Sequence, residues 1–119
     1  MIIDNLHMGI DIVEIERFQK IPYNKNKKFY NKIFNKSEIR YCLKFKDSYR
    51  HFAGKFAIKE ATKKSLSKKI IFLQIETSHI KNKPVVKIKD NVEYSFLVSL
   101  SHEKTMAVAV VLSERSIIK

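Results

Sequence analysis

The chain has 119 residues, 45% of them hydrophobic, with 8 Phe and 5 Tyr. That composition supports a packed core in a single domain over 1–119 and excludes an intrinsically disordered chain. One cysteine, Cys42, excludes an internal disulfide framework and a multi-cysteine zinc site, and the net charge of +12 points to a polyanionic partner.

The charge is unevenly placed. Between Phe18 and Lys69 there are 16 Lys or Arg against three acids, Glu38, Asp47 and Glu60. Such a basic half attracts nucleic acid, an acidic membrane surface or an acidic protein, and charge alone does not choose among them. No run approaches the length of a transmembrane helix, and the first sixteen residues resemble no signal or transit peptide, so a cytoplasmic location is expected.

In chain order, Met8 to Val13 reads as a short buried strand, and Glu14 to Lys20 as a helix. Asp11 lies inside the apolar run, where an unpaired carboxylate costs several kcal/mol. It is either a cap for the following helix or a functional acid. Pro22 and the polar run after it form a loop, and Phe29 to Phe34 a short helix with Phe29 and Ile33 facing inward and Tyr30 and Phe34 as further inward candidates. Asn35 or Ser37 can cap a helix from Glu38 to about Phe45, on which Cys42 is a core residue.

Asp47 or Ser48 opens the central helix, whose segment Arg50 to Leu66 carries Phe52, Phe56 and an Ala53–Ala57–Ala61 ladder at helical spacing. Glu60 is the only acid in a run that also holds Arg50, Lys55, Lys59, Lys63 and Lys64. Glu60 and Lys64 share a face, which suits either a water-facing ion pair or a metal or phosphate site. The period then changes, and Ile70 to Thr77, Pro84 to Ile88, Phe96 to Ser101 and Thr105 to Leu112 read as strands. Lys81 to Pro84 is a turn, and Ser101 to Lys104 another, which places His102 in a tight turn beside Ser99, Ser101 and Thr105. His102 is there either a solvated residue or the edge of an anion site. With only Gly9 and Gly54, the chain has neither a P-loop nor a dinucleotide-binding glycine fingerprint.

Four stretches in order resemble the holo-acyl-carrier-protein synthases, the short class of 4′-phosphopantetheinyl transferases. Gly9-Ile10-Asp11-Ile12-Val13 is similar to their N-terminal strand, which is followed by a helix with a basic residue, here Arg17. Ile33 to Glu38 resembles a second stretch. Phe52-Ala53-Gly54-Lys55-Phe56-Ala57-Ile58-Lys59-Glu60-Ala61, with Lys64 beyond it, resembles the central helix, and Val98-Ser99-Leu100-Ser101-His102 the late strand and turn. Each motif alone is weak, but the ordered set is specific.

The resemblance implies an α+β fold, a 4′-phosphopantetheinyl transferase-like domain with a helical N-terminal half packed on a mainly antiparallel sheet. It implies transfer of the 4′-phosphopantetheine arm of coenzyme A to a serine of apo-acyl carrier protein, in fatty acid biosynthesis, with release of adenosine 3′,5′-bisphosphate. By resemblance Asp11 and Glu60 hold Mg²⁺, Glu60 and Lys64 are catalytic, and Lys55, Lys59, Lys64 and His102 contact coenzyme A. Arg17 would meet the acidic carrier protein, and homotrimers with sites between subunits are implied. The carrier protein then accounts for the positive charge in place of nucleic acid or a membrane.

The chain departs from the pattern at Ser65 to Ile70, a glycine-free loop where the family has glycines, at Asn82-Lys83-Pro84, at His7 and at Lys55, which replaces an arginine. A nucleic-acid-binding module and a non-catalytic carrier-protein binder are the alternatives. Neither gives the two acids a task.

Overall fold

The computed structural model describes residues 5–91 and 93–116. Strand β1 (Leu6–Glu14) leads through a short helix α1 (Glu16–Gln19) and a 3₁₀ turn (Tyr23–Lys25) to α2 (Lys27–Ile33), α3 (Lys36–Leu43) and the long α4 (Ser48–Ser65). A second 3₁₀ turn (Phe72–Gln74) precedes β2 (Ile75–Ile80), β3 (Lys83–Ile88), β4 (Tyr94–His102) and β5 (Met106–Arg115). The expected α+β architecture, one N-terminal strand, then helices, then antiparallel strands, is the one observed. None of the described helices is long and apolar enough to cross a membrane.

The strands form two antiparallel sheets, β1-β5-β4 and β2-β3. In the first, Asp11 faces Ala109 on β5, and Ala109 faces Leu100 on β4. Strand alternation turns Gly9, Val13, Ala107, Ala109 and Val111 toward α4, and these small or branched residues let the helix lie close. The approach is closest at Gly9, where a Cβ would collide with the Ala61 carbonyl and stand 2.9 Å from Ser65 N.

Helix α4 starts at Asp47, whose carboxylate accepts from Arg50 N at 3.3 Å. It is enclosed rather than amphipathic. The sheet covers one side, and α1, α2, α3 and β2 cover much of the rest, so Phe52, Ala53, Ala57, Ile58 and Ala61 are buried together with Lys55 and Lys59. Phe18, Tyr30, Phe34, Phe52 and Phe56 form an aromatic cluster between α1, α2 and α4. Tyr30 donates its hydroxyl to Ile21 O at 2.8 Å, which satisfies its one polar atom in the core.

Three local expectations change. On α2 the inward residues are Tyr30 and Ile33, while Phe29 is 38% exposed, because the helix begins at Lys27 and presents its Tyr30 edge to Phe18. The segment Ile70–Gln74 is not strand. Buried Ile70 packs with Ile75 and Ile88, and the chain then makes a 3₁₀ turn before β2 starts. The β2-β3 hairpin turns at Lys81 and Asn82, both with positive φ (51° and 67°), a two-residue turn whose twist suits antiparallel strands and leaves Pro84 inside β3. Cys42 is a buried free thiol, pushed up to about 12 by burial, as a core residue on α3 would be.

Candidate active site

Strand β1 and the last turns of α4 bring two of the expected site residues into contact. Lys64 Nζ donates to Asp11 Oδ1 at 3.1 Å and to Ile10 O at 3.0 Å. Asp11 is on the helix-facing side of β1 and only 14% of its side chain is exposed, whereas Lys64 is 54% exposed. Glu60 is one turn before Lys64 on the same face of α4 and half-buried. The water-facing Glu60–Lys64 pair is therefore not formed, because Lys64 turns to Asp11. Among the described residues no side chain pairs with the Glu60 carboxylate. Nor does Asp11 cap the next helix, since the N-cap position of α1 is Ile15 and no side-chain cap is made there.

The same face continues toward α1. Phe56 lies one turn before Glu60, and the Arg17 guanidinium carbon sits 5.2 Å from its ring centroid, a cation–π contact that leaves Arg17 exposed. One surface thus carries Arg17, Phe56, Glu60, Lys64 and Asp11 in sequence along the helix. Near the end of α4, a cleft of about 690 Å³ opens among Lys32, Lys63, Leu66, Lys68, Ile71 and Phe72. Motif reading had not located it, because its walls come from the glycine-free loop and the 3₁₀ turn.

The other expected coenzyme A contacts lie elsewhere. Lys59, read from sequence as a coenzyme A ligand, is fully buried. Its Nζ bonds Glu38 Oε1 at 2.7 Å, Ile33 O at 2.8 Å and Phe72 O at 3.1 Å, so the three donors of the ammonium are all taken. Burial pushes its pKa down and the Glu38 charge opposes that shift. Lys55 is 4% exposed, donates to Thr77 Oγ1 at 3.0 Å and lies 4.7 Å from the Tyr41 ring centroid. It forms the floor of a small pocket of about 240 Å³ with Tyr41, Thr77 and His79, and burial lowers its pKa as well.

His102 is the last residue of β4, paired opposite Ala107, and is not in the turn. Its ring rests against α4 where Gly54 has no side chain: a Cβ there would stand 3.0 Å from Nε2. Nε2 is buried without a hydrogen-bond partner among the described residues. Burial, then the Arg50 charge, lowers the His102 pKa from its ordinary value, so the neutral imidazole is favoured near neutrality. Gly54 and Lys64 are ten residues apart on one helix, or about 15 Å along its axis. Within one chain, His102 and Lys55 therefore stand well away from the Asp11–Lys64 contact.

Glu38 and Thr77 were not singled out as site-supporting residues. Glu38 Oε1 accepts from Asn35 N at 2.7 Å, and Oε2 from Thr77 N at 2.8 Å and Thr77 Oγ1 at 2.6 Å. The Asn35-x-x-Glu38 spacing of a capping box and the resemblance over Ile33 to Glu38 were the signals available for Glu38. Thr77 had none.

Comparison with known proteins identifies the family. The family model of the 4′-phosphopantetheinyl transferase superfamily matches residues 7–111. The holo-[acyl-carrier-protein] synthase of Thermodesulfovibrio yellowstonii is 38% identical over 109 residues, covering 88% of this chain and 95% of that protein. The crystal structure of the Bacillus anthracis holo-(acyl-carrier-protein) synthase in complex with CoA (3′,5′-ADP) superposes with a TM-score of 0.80 at 32% identity, covering 92% of this chain and 96% of that one. The Helicobacter pylori holo-[acyl-carrier-protein] synthase in complex with coenzyme A gives 0.75 at 33% identity, covering 90% and 99%. With a family model matched over residues 7–111 and relatives above 30% identity covered over nearly their whole length, the chain belongs to the 4′-phosphopantetheinyl transferase superfamily.

Proposed function

We propose that this chain is a holo-[acyl-carrier-protein] synthase, which moves the 4′-phosphopantetheine arm of coenzyme A onto a serine of apo-acyl carrier protein. The observation that carries the reading is the Lys64–Asp11 contact on the face of α4 that also bears Glu60. The serine oxygen attacks the pyrophosphate phosphorus that bears the pantetheine arm. The bond from that phosphorus to the bridging oxygen breaks, and adenosine 3′,5′-bisphosphate leaves. Such a transfer asks the protein mainly for positioning and charge neutralisation. Glu60, directly or through a water, takes the serine proton, and Lys64 neutralises or protonates the leaving phosphate.

Asp11 and Glu60 fit a hard divalent cation such as Mg²⁺. Among the described residues no group of three or more His, Cys, Asp or Glu could hold a metal. Two carboxylates are thus what the protein offers, and substrate phosphate and water complete the set Mg²⁺ prefers. The cation, when bound, neutralises charge developing on the pyrophosphate.

His102 and Lys55 sit about 15 Å along α4 from Lys64, which supports a site shared between neighbouring copies. On that reading one copy supplies Asp11, Glu60 and Lys64, and the next supplies His102 and Lys55 toward the nucleotide of coenzyme A. The outer face of the β1-β5-β4 sheet supports a homotrimer, because Met8, Ile10, Ile12 and Leu97 are exposed there at 65%, 54%, 59% and 71%. Arg17 and the basic helices around it meet the acidic carrier protein, a contact that weakens with salt. We assign the reaction to fatty acid biosynthesis in the cytoplasm.

Intact-mass spectrometry of apo-acyl carrier protein after incubation with this protein, coenzyme A and Mg²⁺ tests the proposal. A phosphopantetheine-sized gain is expected, lost with a chelator and with Glu60→Gln. No gain on several apo carrier proteins, with the protein folded, overturns the reading.

A further inference from the structure

A buried ion pair in the core of this protein has no contact with the proposed reacting groups, yet it involves the residue beside one of them. Lys59 and Glu60 are adjacent on α4, pointing about 100° apart around the helix axis. Lys59 is bonded to three different elements: Glu38 of α3, the Ile33 carbonyl at the end of α2, and the Phe72 carbonyl of the 3₁₀ turn. Glu38 is itself held by Asn35 N and by both donors of Thr77 on β2, and Lys55 donates to the same Thr77 hydroxyl. Every polar atom of the pair is thereby met at hydrogen-bond distance, with side chains 0% and 1% exposed.

Two hydrophobic residues of similar volume would hold these elements together about as well, since a buried pair repays little more than its own desolvation. What they would not fix is the rotation of α4 about its axis. A dry, directional, fully satisfied network permits one arrangement, and sliding contacts among Phe, Ile and Ala permit several. On the opposite side of the helix the Gly9–Ala61 approach sets its distance from β1, and the half-exposed Lys64 reaches Asp11.

We propose that the Lys59–Glu38 pair is a positioning device for the transfer reaction: it locks the rotational setting of α4 so that Glu60 and Lys64 face Asp11, and it does not bind coenzyme A. This rests on the transferase reading above. Lys59 is a positioning residue, acting through the helix that carries Glu60.

The test measures kcat, KM for coenzyme A and the thermal midpoint in wild type, Glu38→Gln, Lys59→Met and the double variant Glu38→Gln/Lys59→Met. Lys59→Met leaves a carboxylate buried without its cation and is expected to lower the midpoint. The double variant removes both charges and is expected to regain most of that loss. In the double variant kcat is expected to stay about 10- to 100-fold below wild type, the range a small misplacement of reacting groups produces. KM for coenzyme A should stay within about threefold in every folded variant, because no ground-state contact is lost.

If kcat recovers along with the midpoint, the pair is only structural and the proposal fails. If KM rises while kcat holds, Lys59 is a coenzyme A contact and the proposal fails in the other direction. Should Lys59→Met not fold, Glu38→Gln, which keeps the shape and most of the hydrogen bonds, carries the same kcat-against-KM comparison. Absence of transfer by wild type would count against the transferase reading instead, which keeps the two failures apart.

Discussion

Lys64 and Asp11, 53 positions apart in sequence, meet at 3.1 Å and tie the end of α4 to the middle of β1. The lysine side chain is more than half exposed, so the contact adds at most about 1 kcal/mol to stability. Asp11→Asn and Lys64→Met should therefore unfold close to the wild-type midpoint in urea. Both should nonetheless lower transfer by about 100-fold or more, the scale of a lost acid–base or charge-stabilising group. A variant that loses both stability and activity in parallel would show that the contact is a structural tie.

The two glycines predict opposite kinds of damage. Gly9→Ala drives a Cβ into the backbone of α4 at Ala61, which cannot give way cheaply. It should destabilise the fold by about 1–3 kcal/mol in denaturant unfolding. Gly54→Ala meets the His102 ring at 3.0 Å and Leu100 Cδ2 at 3.2 Å, both side-chain atoms able to shift. Its stability loss should be smaller, and its main effect a raised KM for coenzyme A as His102 is displaced.

The histidines give the fold a pH dependence with a definite sign. His51, His79 and His102 all have pKa values pushed down, chiefly by burial. Between the ordinary histidine value of 6.5 and the lower folded values, the unfolded chain binds more protons than the folded one. Stability is therefore fullest above pH 6.5 and declines as pH falls through that value toward the folded pKa values. Thermal midpoints measured from pH 7.5 to 5.5 should fall, and His102→Gln should flatten part of the slope.

The outer sheet face should respond to charge. Ile10→Lys or Leu97→Lys places an ammonium among Met8, Ile12 and their neighbours, on a surface that does not touch α4. Light scattering should show the wild type as a trimer and these variants as smaller species, with circular dichroism unchanged. On the proposed shared-site arrangement, activity should drop with the loss of assembly, because the neighbouring copy would no longer bring His102 to Asp11. Monomeric wild type would overturn the shared-site arrangement.

The parts of this fold legible in the sequence are those set by local pattern. Asp47 caps α4, Asn35 precedes α3, and the apolar run around Asp11 is a strand because such runs and capping chemistry are local signals, although the strand is buried on one face only, with Met8, Ile10 and Ile12 exposed on the other. The burial of Lys59 is not legible, for the converse reason. A lysine in a lysine-rich helix looks solvated, and only the arrival of Glu38, Ile33 and Phe72 from three other elements makes its place dry. His102 looked like a turn residue because the sequence shows where hydroxyls cluster but not how far a strand persists before it bends. Tertiary enclosure, not propensity, decided both positions.

Strand β5 lies between β1 and β4, and its register joins Leu6 to Glu114. Asp11 therefore reaches its place only after a loop of nearly the whole described chain has closed. Pairings so distant in sequence are slow to form, because chain entropy is spent before the contacts are made. Helix α4, with mostly local hydrogen bonds, can form earlier and wait with Lys64 unengaged. Recovery of transferase activity on refolding should thus lag behind recovery of helical signal, timed by the meeting of the first and last strands.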